Sequence, residues 1–261
     1  MQQQGKFILM NREEFKSYTL KLKVSRKITL IQNHHTYIPS YKDFKNNHFR
    51  LLEGMERSHL SRGFNEIGQN ITIFPDGLIA VCRPLDTPPA CIKGANENGI
   101  CIENVGNFDI GGDKMTEEQK KSIIFVNAIL CKKFKLTPST DTIVYHHWFD
   151  LESGKRLNGK GITKSCPGTN FFGGNKVETA NKYFIPLIMK ELEAMNETKE
   201  DKQTKKGQVL ANLLNIREQP STQAKILGQY KKGEIIDIFE VRDNWAKTSK
   251  GWVCSDFIKI I

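Results

Sequence analysis

The sequence is short of several things, and each shortage excludes something. Across 261 residues no apolar run approaches the ~18 residues a bilayer-spanning helix needs, so a transmembrane reading is set aside. The opening stretch, MQQQGKFILMNREEF, has no long apolar core behind a basic start and does not read as a secretory leader. None of the six cysteines, at 82, 91, 101, 131, 166 and 254, stands in a C-x-x-C pair. The pattern reads as a reduced chain, not a disulfide scaffold, with Cys82 and Cys101 as small buried hydrophobes in strand-like segments. Acidic residues are outnumbered 29 to 39 by lysine and arginine, and the formal charge of +10 calls for an acidic partner. The basic residues are nevertheless spread along the chain, with no helix-turn-helix or zinc-finger spacing. Nucleic acid is therefore a poor fit, and a plain solubility surface is the other account of the charge.

What is present in quantity is histidine and cysteine at the ends of apolar segments. Ile143, Val144 and Tyr145 read as a strand running into His146-His147, and a Gly-, Lys- and Asn-rich loop then leads to Lys164-Ser165-Cys166-Pro167-Gly168. Ile28, Leu30 and Ile31 form a second buried strand, closing on Asn33-His34-His35-Thr36. Two strand ends with histidine and one loop cysteine offer three soft ligands. Three ligands leave the fourth tetrahedral position for water, which separates a catalytic zinc site from a closed structural one.

Four motifs in order resemble one family. HHTYIP, GFNEIGQNITIFPDGLIAVCRP, GICIENVGNF, and YHHWFD followed by KSCPG are similar to the zinc N-acetylmuramoyl-L-alanine amidases. That family includes amidase-type phage lysozymes and the peptidoglycan-recognition proteins, and the resemblance spans most of residues 20 to 190. It implies that His34, His146 and Cys166 hold one zinc ion per chain, and that Lys164 stabilises the tetrahedral oxyanion. Many relatives carry a tyrosine in a G-W-x-D-I-G-Y motif where this chain has Gln69, which is neither acid nor base. A branch of the family uses a glutamate on a G-I-x-E strand instead, and Gly99-Ile100-Cys101-Ile102-Glu103 matches it, so Glu103 is assigned as general base. The bond implied is the amide between N-acetylmuramic acid and L-alanine in peptidoglycan, cut by zinc-activated water.

The remaining pattern is α/β. Asn11 and Glu14 form a capping box for a helix over 11–22, and a second helix is expected over 46–61. Ile71–Phe74 and Leu78–Val81 flank a Pro75-Asp76-Gly77 turn as a hairpin. A long loop over 86–98 leads to the Glu103 strand, and Lys93 and Asn96 on it are candidate substrate contacts. Thr116 to Gln119 reads as a capping box for a helix to about Phe134, with Ile123, Val126, Ile129 and Leu130 as core. A last helix over 177–195 should kink at Pro186. Strands alternating with helices give a mixed central sheet flanked by helices, the peptidoglycan-recognition-protein-like amidase fold, with zinc at the strand ends.

The segment 196–207, NETKEDKQTKKG, is charged and has no large apolar residue. It divides a catalytic domain, 1–195, from a second domain, 208–261. That second domain consists of short strands and turns, a small all-β barrel. Leu214-Asn215-Ile216-Arg217, Lys232-Gly233-Glu234 and Gly251-Trp252-Val253 resemble the bacterial SH3-like domains that accompany wall hydrolases, which implies wall binding. Tyr230 and Trp252 are candidates for that contact and equally for barrel core.

The reading that results is an endolysin or autolysin, a peptidoglycan hydrolase made without an export signal. It reaches the wall after lysis, through a holin or by unconventional export, where anionic wall polymers would suit its +10 charge, with no nucleic-acid partner and no membrane insertion. Its alternative is a protein of the same fold that binds peptidoglycan without cutting it.

Overall fold

The structure is a computed structural model describing residues 1–196 and 205–261 in full, with the backbone of 197–200. It divides into two compact units, Met1–Leu192 and Glu193–Ile261.

The first unit runs β1 (Gln2–Gln4), β2 (Phe7–Met10), α1 (Arg12–Lys21), β3 (Leu30–His35), α2 (His48–Ser61), β4 (Ile71–Ile73), β5 (Ile79–Val81), β6 (Gly99–Asn104), α3 (Glu117–Phe134) and β7 (Ile143–Tyr145). Its seven strands form one mixed sheet in the order β1-β2-β5-β4-β6-β3-β7. β4, β6, β3 and β7 run parallel, while β1, β2 and β5 add an antiparallel margin. The β4–β5 hairpin and the Gly77 turn stand as the sequence indicates; the β1–β2 margin, turned at Gly5, is an addition that the sequence reading missed.

Strand periodicity decides which side chains meet which helix. Asn33 points to α3, where it and Asn127 exchange side-chain hydrogen bonds at 2.9 and 3.1 Å in a dry core. The next residue, His34, faces the opposite side, which α2 covers. On that side Phe7, Leu9, Leu52, Met55, Ile67 and Phe74 pack together. The parallel register sets His34 beside Glu103 on β6, and Thr72 on β4 beside Glu103 in turn.

The caps show where local rules held and where packing took over. Asn11 accepts from the Glu14 amide and Glu14 reaches back to the Asn11 amide, a full capping box on α1. On α3 only half of the expected box forms. Thr116 accepts from the Gln119 amide, but the Gln119 side chain is buried and donates to the Ile73 and Val105 carbonyls instead. Two strand-end carbonyls, one of which also accepts the Val105 amide, draw the side chain away from the helix cap. Near Pro186 the structure shows α4 (Val177–Thr179), a π-helical turn Ala180–Phe184 and α5 (Ile185–Glu200). The ladder widens to π spacing just before Pro186, which has no N–H to give.

One cysteine expectation is corrected. Cys91 and Cys101 form a disulfide, while Cys82, Cys131, Cys166 and Cys254 are free. The cause is local: Asn96 Oδ1 accepts from both the Cys91 and Ile92 amides at 2.9 Å and turns the loop back onto β6.

The second unit contains β8 (Lys205–Val209), β9 (Leu213–Arg217), β10 (Ile226–Lys231), β11 (Ile235–Ile238), β12 (Glu240–Arg242), β13 (Trp245–Thr248), β14 (Gly251–Cys254) and β15 (Ile258–Ile260). Two sheets, β10-β9-β14-β13-β12 and β11-β8-β15, close on a core of Val209, Leu214, Ile216, Tyr230, Ile236, Ile238, Ala246, Val253 and Ile258. Of the segment read as a linker, residues 201–204 and the side chains of 197–200 lie outside the described residues. Lys205, Lys206 and Gly207 belong to β8, where a Cβ on Gly207 would come within 2.3 Å of the Ile258 side chain.

The buried amide pair yields a first prediction. Asn127→Leu leaves both polar groups of Asn33 unmet and should cost the first unit about 1–3 kcal/mol in urea unfolding. The Asn33→Leu/Asn127→Leu double variant should lose less than the sum of the two single variants. Strictly additive losses would contradict the pairing.

Candidate active site

The three candidate ligands reach one point by three different routes. His34 is the fifth residue of β3, and its carbonyl is held by Asn104 Nδ2 at 2.7 Å. His146 opens a 3-10 turn, His146–Trp148, directly after β7. Cys166 sits in the loop beyond, next to a cis Cys166–Pro167 peptide. One ligand atom from each lies within 4.8 Å of the others, and all three residues are buried. His34 Nδ1 is 3.5 Å from Cys166 Sγ, and the His34 and His146 rings meet edge-on at 4.9 Å.

The partner histidines of each pair have other work. His147 donates its amide to the Cys166 carbonyl and its Nδ1–H to the Lys164 carbonyl, both at 2.7 Å. It thereby fastens the cysteine loop to the turn that carries His146. His35 Nδ1 accepts the Phe108 amide at 3.1 Å, which leaves its proton on Nε2. The Phe108–Ile110 segment then grips the cysteine loop from the other side. Asp109 accepts from the Ser165 hydroxyl at 2.8 Å and the Thr169 amide at 2.9 Å. Burial pushes the Asp109 carboxyl up, but those two donors outweigh it and hold it below the usual carboxylate range.

Electrostatics sets the state of the cluster. Burial, with His146 and Lys164 adding positive charge, lowers the His34 pKa far below that of a free imidazole. His146 falls to about 4, again chiefly through burial. Both rings are neutral bases with lone pairs to offer. Burial, reinforced by the Glu103 carboxylate, raises the Cys166 thiol well above its ordinary value. A thiol this dry deprotonates readily only when a cation replaces the proton. Two neutral imidazoles and one thiol that needs a counter-ion fit zinc in both hardness and number.

Glu103 stands beside this cluster, with Oε1 4.0 Å from His34 Nδ1 and one-fifth of the side chain exposed. Burial lifts its carboxyl to about 8, against the opposing pull of Lys164 and Arg62. Its Oε2 is buried with no hydrogen-bond partner among the described residues. Lys164 is exposed at the rim. These groups line a cleft of about 750 Å³, closed on one flank by Ser58 and His59 of α2 and by Arg62, which caps its C-terminus. Gln69 lies on its floor, fully buried, donating to Thr72 Oγ1 at 3.0 Å.

Three of the motif matches are now joined by geometry, and a comparison with protein families decides the assignment. The N-acetylmuramoyl-L-alanine amidase family profile matches residues 24–169, more than half of the chain. The chain belongs to that amidase family. Residues 212–259 match the bacterial SH3 domain. As an amidase of this family it is a peptidoglycan hydrolase, and peptidoglycan is its partner.

Solved structures similar to the amidase include two from Clostridium intestinale URNW. The endolysin N-acetylmuramoyl-L-alanine amidase LysCS is 25% identical, with 56% of this chain and 78% of that chain covered and a TM-score of 0.41. The amidase LysC is 24% identical, with 57% and 84% covered and a TM-score of 0.41. Drosophila PGRP-LB is 19% identical, with 61% and 83% covered and a TM-score of 0.47. A comparison with curated proteins returns no match.

The structure does not bring every candidate into the amidase cleft. Lys93 donates to the Glu152 carbonyl, and Asn96 is spent on the Cys91 turn; neither is among the cleft-lining residues. In the second unit Tyr230 is buried and donates to Thr248 Oγ1 at 3.1 Å. Trp252 is nearly buried, with Arg242 and Lys247 over its ring. His35, the second member of the HH pair, and His59, which the sequence leaves as a surface or groove residue on the second helix, line the cleft, as do Arg62 and Cys91, for which the sequence carried no signal.

The cysteine loop gives a second prediction. Gly168 has φ +121°, and a Cβ there would meet the Phe108 carbonyl oxygen at 2.4 Å. Gly168→Ala should therefore lower stability by about 1–3 kcal/mol and weaken zinc binding measured by competition with a colorimetric chelator. Unchanged zinc affinity would mean that the loop does not position Cys166.

Proposed function

We propose that this amidase is zinc-dependent, with His34, His146 and Cys166 as ligands, Glu103 as proton carrier and Lys164 as oxyanion donor. The observation that carries the proposal is the convergence of the three ligand atoms next to a buried carboxyl. A zinc ion held there would activate a water towards neutral pH and polarise the scissile carbonyl.

The chain's own residues supply the rest. Glu103, as carboxylate, accepts a proton from the attacking water and returns it to the departing L-alanine nitrogen. Its position in a dry corner suits both halves of that cycle, since burial raises its basicity and Lys164 restrains the rise. Lys164 brings a full positive charge to the cleft rim, where negative charge grows on the carbonyl oxygen. The α2 flank, with His59 and Arg62, bounds the groove in which the glycan and stem peptide lie. Gln69 has no proton to exchange, so the tyrosine role of many relatives passes to Glu103.

The SH3 unit would hold the enzyme on the wall, and its core of Val209, Leu214, Ile216, Tyr230 and other apolar residues suits binding without turnover. The enzyme would act at the cell wall; among the described residues no helix is long and apolar enough to cross a membrane.

Three variants test the assignment, with newly freed L-alanine amino termini on purified peptidoglycan as the readout. Glu103→Gln should abolish turnover with zinc content and fold intact; full activity would move the proton carrier elsewhere. Lys164→Ala should lower kcat by about 10²-fold, the usual scale for one oxyanion donor. Cys166→Ser should lose most of the zinc, and a variant retaining one ion per chain would remove Cys166 from the ligand set. Activity abolished by a chelator and restored by zinc is the accompanying expectation.

A further inference from the structure

We propose that Cys91 and Cys101, once reduced, form with His34 a second seat for a soft divalent ion, competing with the first seat for that one imidazole. A nitrogen of His34 and the two sulfurs all lie within 4.8 Å of one another. The sheet explains the proximity. Cys101 lies two residues before Glu103 on β6, so both side chains share the face that His34 shares by register. The loop turned by Asn96 then lays Cys91 over Cys101.

The donor chemistry is that of a metal site. Two thiolates and one imidazole are a zinc and cadmium set, leaving one position open. Zn–S bonds of ~2.3 Å in a tetrahedron put two sulfurs ~3.8 Å apart. Cα atoms 6.6 Å apart allow that separation with small side-chain rotations. An independent observation points the same way: His34 Nε2 is buried and has no hydrogen-bond partner among the described residues. His34 thus has a second nitrogen besides the Nδ1 that faces Cys166, and a neutral imidazole offers a lone pair on only one of the two at a time.

Access exists from the cleft, since Cys91 is half-buried and lines it. A small thiol enters there, its sulfur bonds to one cysteine sulfur, and the other leaves as thiolate and takes a proton. A second thiol resolves the mixed disulfide. Two small thiols are oxidised to their disulfide, and the protein disulfide gains two electrons and two protons. An incoming ion then displaces those protons. The consequence for the enzyme is competition: an ion seated on Cys91 and Cys101 occupies the histidine that the catalytic seat requires, so reduction lowers amidase activity and oxidation restores it.

Cadmium(II) is the probe, because its bonds to thiolate absorb in the ultraviolet and its bonds to imidazole do not. Oxidised Cys166→Ala protein should show no such absorbance. After reduction by a phosphine and its removal, the same protein should show a band of about twice the amplitude per bound cadmium that oxidised wild type gives through Cys166 alone. The C91S/C101S/C166A variant, which keeps Cys82, Cys131 and Cys254, should show none. No band in reduced Cys166→Ala, or an equal band in the triple variant, overturns the proposal. Should Cys166→Ala not fold, reduced wild type carries the test: amplitude per ion rises from one thiolate to two, and an amplitude that stays at one refutes the second seat. An oxidised wild type with no band would instead count against the first seat only.

Discussion

A thiol and two imidazoles have been packed together with little surface left to solvent, and that single constraint organises the catalytic unit. Each group has lost its solvent, and each responds in the direction that avoids charge: the imidazoles lose their protons and the thiol keeps its own. Such a cluster repays its desolvation only when a cation enters. The surrounding architecture keeps it from relaxing. β3 is paired on both sides, with β6 and β7, the 3-10 turn follows directly from β7, and the cysteine loop is clamped by His147 on one side and Asp109 on the other. Glu103 and Lys164, the proposed hydrolytic groups, take their positions from the same scaffold.

Much of this was legible because local and tertiary signals agreed. The Asn11 box, the Pro75-Asp76-Gly77 turn and the apolar spacing of α3 are short-range patterns, and the fold uses each as written. The ligand candidates were legible as histidine pairs at strand ends, although only the family resemblance chose His34 over His35 and His146 over His147. The structure supplies the physical reason for that choice: His35 and His147 are occupied by the Phe108 amide and the Lys164 carbonyl.

What escaped the sequence depends on contacts between distant segments. Gln119 looks like a helix cap until two strand carbonyls from β4 and its neighbourhood claim it. Cys91 and Cys101 have no motif; their meeting depends on Asn96 turning one loop. Gly207 reads as linker punctuation in a charged segment, yet it is a strand residue whose missing side chain makes room for Ile238 and Ile258. Tyr230 and Trp252 read equally as binding or core residues, and their burial is decided by strand pairing in the second unit.

The alternation along β3 has one more consequence. Asn33 commits to the helix on one face while His34 joins the candidate ligand cluster on the other, so the two faces are a single residue out of phase. A slip of that strand by one position would bring the amide to the cleft and the imidazole to the hydrocarbon interior, ruining both at once. On the proposed zinc assignment, the metal content of a preparation would thus be a gauge of strand alignment, reporting whether β3 is correctly threaded between β6 and β7.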